Sequence, residues 1–189
     1  MSTFDFKFKI VLLGDAAVGK TSLVKRFTDN LADFKAGDMK VTMGCEISNV
    51  PVWVSKTKRT LLNIWDLGGG SRFIDIRTTF LRGAVGYLLV FDITRPETFE
   101  HCEDWRREIA EVTGRPDLPC NLLANKDDLQ EFRAIRYKDV KEYASKHCMT
   151  FYRTSAIRRS PEDAKVVNKS FTWLARKIFK GLRAEGRCD

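Results

Sequence analysis

The sequence predicts an α/β fold: a mostly parallel six-stranded sheet with one antiparallel edge strand and helices on both faces. Strand-like and helix-like segments alternate along the chain from Phe6 onward. Gly44–Val54 and Arg59–Trp65 flank the short polar stretch Ser55-Lys56-Thr57-Lys58, as the arms of a hairpin do. Ala84–Ile93 is almost continuously apolar, the pattern of a strand buried on both faces.

Each element has its own local signal. Phe6–Leu13, rich in apolar and β-branched residues, is the first strand; Lys20–Asn30 is the first helix, with Leu23, Val24 and Phe27 at helical spacing. Leu31–Val41 holds Gly37 and scattered charges without a period and reads as loop, as does the glycine cluster Leu67–Gly70. After the central strand, Pro96 opens a helix with Thr94 as its expected cap. Phe99, Trp105, Ile109 and Val112 face its core side, and Gly114-Arg115-Pro116 ends it. Cys120–Ala124 is a short buried strand, Ile135–His147 a helix carrying Tyr137, Val140 and Tyr143, and Thr150–Thr154 the last strand. Ser160-Pro161-Glu162-Asp163 caps the final helix, whose apolar stripe is Val166, Val167, Phe171, Leu174, Ile178 and Leu182. There is no internal repeat, and 189 residues fit one domain, 1–189.

Composition narrows the function. With 43% hydrophobic and 31% charged residues and no apolar run near the roughly 20 residues of a membrane helix, the chain reads as soluble and globular. Met1-Ser2-Thr3-Phe4-Asp5 shows neither a secretory signal nor a glycine for myristoylation. The 5 cysteines form no C-x-x-C pair and are odd in number, which argues against a disulfide scaffold or zinc site and for a reducing cytosol. His101 and His147 are isolated and read as surface residues. The net charge of +8 is compatible with nucleic acid, anionic membrane or simple solubility. Lys165, Lys169, Arg176, Lys177, Lys180, Arg183 and Arg187 concentrate near the end without any nucleic-acid-binding signature, so no nucleic acid partner is expected and a solvated helix face is the preferred reading.

The chemistry starts at Gly14-Asp15-Ala16-Ala17-Val18-Gly19-Lys20-Thr21, set between a strand and a helix. The spacing G-x-x-x-x-G-K-[ST] is that of a phosphate-binding loop and makes the fold a P-loop NTPase fold. Its glycines let the backbone turn tightly, and successive N–H groups from Asp15 to Ser22 face an anion together with the positive end of the helix. Lys20 would reach the β- and γ-phosphates, and the Thr21 hydroxyl would sit on Mg²⁺.

Asn125-Lys126-Asp127-Asp128 follows the strand Cys120–Ala124 directly. Here the chain resembles the small GTPases of the Ras superfamily, closest to Rab or Ras types, whose base motif is N-K-x-D. The Asp128 carboxylate can accept from both N1–H and the 2-amino group of guanine, whereas adenine would present an acceptor there. Asn125 would tie this loop to the phosphate loop, and the Lys126 stem would lie along the base. Ser155-Ala156-Ile157 resembles the family's S-A-K, in which the alanine N–H meets guanine O6; Ile157 departs from the lysine. The resemblance makes Asp66-Leu67-Gly68-Gly69 the D-x-x-G motif, with Asp66 on Mg²⁺ and the Gly69 N–H on the γ-phosphate. It makes Thr42, in Val41-Thr42-Met43-Gly44, the switch-one threonine that completes the Mg²⁺ shell, and Phe34 an aromatic edge over the base. Lys20, Thr42 and Gly69 are then the groups on the reacting phosphate. Effectors, exchange factors and GTPase-activating proteins would read the switches around 31–45 and 67–80.

Two features depart from the family. After Gly69 the usual Gln-Glu is replaced by Gly70-Ser71, so the side chain that orients the attacking water is missing and slow GTP hydrolysis is expected, with Ser71 and Arg72 as nearby substitutes. The end Gly186-Arg187-Cys188-Asp189 is not a prenylation motif. The expectation is a cytoplasmic GTP/GDP switch, with weak peripheral attraction of its basic stripe to anionic membrane. The rival reading is a scaffold that holds GTP or GDP with negligible catalysis; a small-molecule kinase lacks the lid and substrate arginines.

Overall fold

A computed structural model describes residues 4–28, 44–68, 74–157 and 160–186. Its sheet has six strands: β1 Phe6–Leu13, β2 Cys45–Trp53, β3 Arg59–Leu67, β4 Gly86–Asp92, β5 Cys120–Asn125 and β6 Thr150–Arg153. The order is β2-β3-β1-β4-β5-β6. Every neighbouring pair is parallel except β2 with β3, which places the antiparallel strand at one edge as the sequence predicts. The helices are α1 Lys20–Thr28, α2 Ile74–Leu81, α3 Pro96–Glu100, α4 Cys102–Thr113, α5 Tyr137–Lys146 and α6 Pro161–Ala184.

Side-chain alternation on the sheet divides the interior into two layers. Ile10, Leu12, Leu62, Ile64, Leu88 and Val90 pack on one face against Leu23 and Val24 of α1 and Phe171, Leu174 and Ile178 of α6. Val11, Leu13, Tyr87, Leu89, Phe91 and Leu122 pack on the other against Trp105 and Ile109 of α4 and Val140 of α5. β4 is covered on both sides and is buried at every position, which is why its sequence shows no alternation. β2 is the contrast: Val52 turns inward while Ile47 and Trp53 stand half exposed.

Several local expectations change. Leu67 belongs to β3, not to the loop after it, because it pairs with Cys45 on β2. The helix after β4 is two helices, α3 and α4, joined through His101. Thr94 is not its cap: Arg95 holds the N-cap position without a side-chain bond, and Thr94 instead donates from its N–H and hydroxyl to Asp92 Oδ1, at 2.9 and 2.7 Å. Two elements have no counterpart in the sequence reading, namely α2 and a 3₁₀ turn over Asp127–Phe132. The cap of α6 is as expected, with Ser160 accepting from the Asp163 N–H.

Because β1, β3, β4, β5 and β6 run parallel, their carboxyl ends share one edge of the sheet. The phosphate loop, Asp66, Asp92, Asn125–Asp128 and Thr154–Ile157 all leave from that edge, where ligands bind in open α/β sheets.

Candidate functional site

The phosphate loop takes a shape that glycine makes possible at two points. Gly14 has φ +135°, and a Cβ there would lie 2.0 Å from the Val90 carbonyl oxygen; Gly19 has φ +97°, with its would-be Cβ 2.4 Å from Asn125 Nδ2. Neither position has room for a side chain, so β4 and the Asn125 turn press directly on the loop backbone.

Lys20, only 6% exposed, curls back over the loop and donates to the carbonyls of Gly14 and Asp15 at 2.6 and 2.7 Å. Burial pushes its ammonium down to about 8, and the charges of Asp66 and Asp15 recover part of the loss. Asp66 lies across from it at 1% exposure. Burial raises its carboxyl above the ordinary range, against the Thr21 hydroxyl, which donates to Oδ2, and the Lys20 charge. Its Oδ1 is buried with no hydrogen-bond partner among the described residues. A buried cation and a buried anion thus each hold their charge at a cost that a ligand would relieve: an anion at Lys20, a cation at Asp66. The donor set fits Mg²⁺, since Thr21 and Asp66 offer hard oxygens. Among the described residues no group of three or more His, Cys, Asp or Glu gathers to hold a metal.

The second pole lies at the ends of β5 and β6. Asn125 Nδ2 donates to Val18 O at 2.8 Å and Asn125 Oδ1 accepts from the Thr154 hydroxyl at 3.2 Å, joining three loops through one amide. Lys126 sits in the left-handed region, φ 66°, with Nζ 2.6 Å from Asp92 Oδ2. Burial opposes the Asp92 charge, but Lys126 and the two Thr94 donors outweigh it and hold the carboxyl below its usual range. Asp128 Oδ1 accepts from the Ser155 hydroxyl at 2.5 Å. Ala156 is buried, with its carbonyl 3.2 Å from Arg26 Nη1 of α1, and Ile157 stands 38% exposed.

These loops sit in a chain whose residues 9–180 match the Ras family model. It is 36% identical to the Ras-related protein RABA4b of Arabidopsis thaliana, over 96% of this chain and 79% of that one. It is 39% identical to RABA1c of the same plant, over 82% and 69%, and 36% identical to Rab11D of Lotus japonicus, over 94% and 77%. The chain belongs to the Ras family. Within it, the molecule is a Rab-like small GTPase.

Not every residue singled out in the sequence of this small GTPase can be placed. Phe34, Thr42 and Gly69, with Gly70, Ser71 and Arg72, lie outside the described residues. Asp15 to Ser22, Asp66, Asn125 to Asp128 and Ser155 to Ile157 gather at the sheet's carboxyl edge.

The structure adds residues that sequence reasoning missed. The Asp15 side chain is held from outside the loop: Trp105 Nε1 of α4 donates to its Oδ1 at 2.8 Å, and His101 Nδ1 lies 2.6 Å from its Oδ2. His101 is therefore a contact of the phosphate loop and not merely a surface histidine. Arg77 of α2 lies 4.4 Å from the Trp105 ring and pairs with Glu108 at 2.6 Å. Arg95 bridges Asp92 Oδ2, at 3.2 Å, to the carbonyl of Ala16, at 2.9 Å. The contacts of Asp15 with Trp105 and His101, and of Arg95 with Ala16, leave no local signal, because their partners are 79 to 90 residues apart in sequence.

Proposed function

We propose that this small GTPase is a guanine-nucleotide switch that binds GTP and GDP with Mg²⁺ and hydrolyses GTP slowly, acting as one domain over residues 1–189. The observation that carries the reading is the underpaired Lys20–Asp66 site joined through Asn125 to the Asp128–Ser155 pair. One end calls for an anion and a hard cation, and the other presents a fixed carboxylate.

Lys20 would exchange the Gly14 and Asp15 carbonyls for β- and γ-phosphate oxygens, regaining a full counter-charge in a buried setting. Thr21 and Asp66 would hold Mg²⁺ together with Thr42, and the ion would spread the charge of the β- and γ-oxygens. Asp128 would accept from N1–H and the 2-amino group of guanine, with the Ala156 N–H on O6 and the Lys126 stem and Ile157 beside the base. Phe34 would cover the base edge. Thr42 and the Gly69 N–H, sensing the γ-phosphate, would convert nucleotide state into the shape of the switches around 31–45 and 67–80, where effectors, exchange factors and activating proteins would bind.

Gly70 stands where the water-orienting glutamine is expected, so the chemical step lacks one positioned group. Single-turnover phosphate release from GTP-loaded protein, beside Gly70→Gln, tests this. Release should be slow, and about tenfold or more faster in the variant, equivalent to roughly 1.4 kcal/mol of barrier per tenfold. Equal, ordinary rates would mean that another group orients the water. No release from either protein would favour the second reading that Gly70 suggests, a nucleotide-holding scaffold.

Among the described residues no helix is long and apolar enough to cross a membrane. The exposed face of α6, with Lys165, Lys169, Arg176, Lys180 and Arg183, supports weak peripheral attraction of a cytoplasmic protein to anionic lipid. Co-sedimentation with anionic vesicles should then fall as salt is raised; salt-independent or absent binding would count against it.

A further inference from the structure

Asp127 is the one residue of the Asn125–Asp128 turn for which contact with a nucleotide has no use, yet its side chain is only 11% exposed. Its carboxylate is gripped by Arg153, the last residue of β6. Nε reaches Oδ1 at 2.9 Å and Nη2 reaches Oδ2 at 3.1 Å, a two-pronged pair that fixes distance and plane together. Gln130 Nε2 adds a bond to Oδ2 at 2.9 Å, and the Tyr137 hydroxyl of α5 donates to Oδ1. The guanidinium groups of Arg133 and Arg153 each lie 4.6 Å from the Tyr137 ring centroid, so the arginine that grips the carboxylate is itself braced.

The position of this pair gives it a role. Arg153 immediately precedes Thr154-Ser155-Ala156, and Asp127 immediately precedes Asp128. The backbone already links the two loops, with the Asp127 N–H on Thr154 O at 3.0 Å and the Thr154 N–H on Ala124 O at 2.9 Å. Three consecutive side chains of the turn reach three different neighbours. Asn125 reaches the phosphate loop, Lys126 the end of β4, and Asp127 the end of β6. With Lys126 in the left-handed region, the turn depends on these outside anchors to keep its shape.

We propose that Asp127 and Arg153 are positioning residues for base selectivity: their ion pair sets the register between the two base loops, and so fixes the Asp128 carboxylate against the Ala156 N–H. The inference rests on the guanine-nucleotide reading above. Neither residue touches the nucleotide; each acts through its chain neighbour. Arg153 is 43% exposed, so solvent screens the pair and the effect is moderate.

The test is competition binding of GDP, IDP and ADP to the full chain, with release of fluorescently labelled GDP and thermal melting recorded in parallel. IDP lacks the 2-amino group, so the GDP-to-IDP affinity ratio reports how well Asp128 meets two donors at once. In Arg153→Gln and Asp127→Asn this ratio should fall by about three- to tenfold, and labelled GDP should leave faster by a similar factor. Single-turnover hydrolysis of bound GTP should not change. Arg153→Lys keeps the charge but loses the fork and should fall between, and the exchange Asp127→Arg with Arg153→Asp should recover part of the ratio. If GDP and IDP affinities drop by one common factor, or the ratio stays at the wild-type value in every variant that folds, the pair is only structural and the proposal is wrong. If wild-type protein binds ADP as well as GDP, the guanine reading itself fails, which this design separates from failure of the inference.

Discussion

Asp15 shows how one residue can carry two kinds of information. Its backbone belongs to the phosphate loop, while its carboxylate is held by Trp105 and by His101. The bond to Asp15 raises the His101 pKa, with the Asp15 charge next and Asp104 and Glu100 adding to it, against a slight desolvation. The ring therefore binds its proton more tightly in the folded protein than in the unfolded chain. Its contribution is complete below the ordinary histidine value of 6.5 and fades as pH rises through the raised value. Thermal melts of wild type and His101→Asn, compared from pH 5.5 upward on the order of three pH units, should show wild type losing its relative advantage over that window. Parallel pH profiles would show that the Asp15 contact carries no linkage. With the His101 side chain 50% exposed, the effect should be small and should shrink with added salt.

At the scale of elements, the loop between β1 and α1 is tightened from outside by β4 and by the Asn125 turn. Gly14 is the tighter contact, because the obstructing atom is the Val90 backbone oxygen, which cannot rotate away. Gly14→Ala should cost about 3 kcal/mol in denaturant unfolding and weaken nucleotide binding at the same time. Unchanged stability would mean that β4 can retreat from the loop. The same scale explains why α2 escaped notice. From Arg77 to Leu81, only Leu81 is fully buried, so no apolar stripe marks a helix. Its side chains are held by partners distant in sequence: Arg77 by Trp105 and Glu108, and Phe80 against Trp65 at 6.0 Å between ring centroids. The 3₁₀ turn after Lys126 escaped for a related reason, since its Asp127 is fixed by Arg153 from β6.

For the whole molecule, the two faces of the sheet have distinct duties. The α4 and α5 layer carries Trp105, which holds the Asp15 carboxylate, while the α1 and α6 layer joins the helix that starts at Lys20 to the longest of the described helices. Phe27 of α1 stacks on the fully buried Phe171 of α6, with ring centroids 4.3 Å apart. Phe171→Ala should therefore cost about 3–5 kcal/mol in urea unfolding and loosen α1 beneath the phosphate loop. A loss below about 1 kcal/mol would mean that the layer repacks.

The sequence by itself determined the order of the six strands, the antiparallel edge and the helices α1, α5 and α6. Those signals are local: a glycine spacing, a buried apolar run, a cap with proline after it. The N-K-x-D turn and the phosphate loop were legible for the same reason, each being a short segment whose residue types state their chemistry. Only the tertiary structure decided which of those loops meet. Parallel pairing brings the ends of β1, β3, β4, β5 and β6 to one edge, and there side chains 79 to 130 residues apart come into contact: Arg95 with Ala16, Trp105 with Asp15, Asn125 with Val18, Arg26 with Ala156. Such pairs leave no periodic trace along the chain, because the energy that favours them exists only after the sheet has assembled.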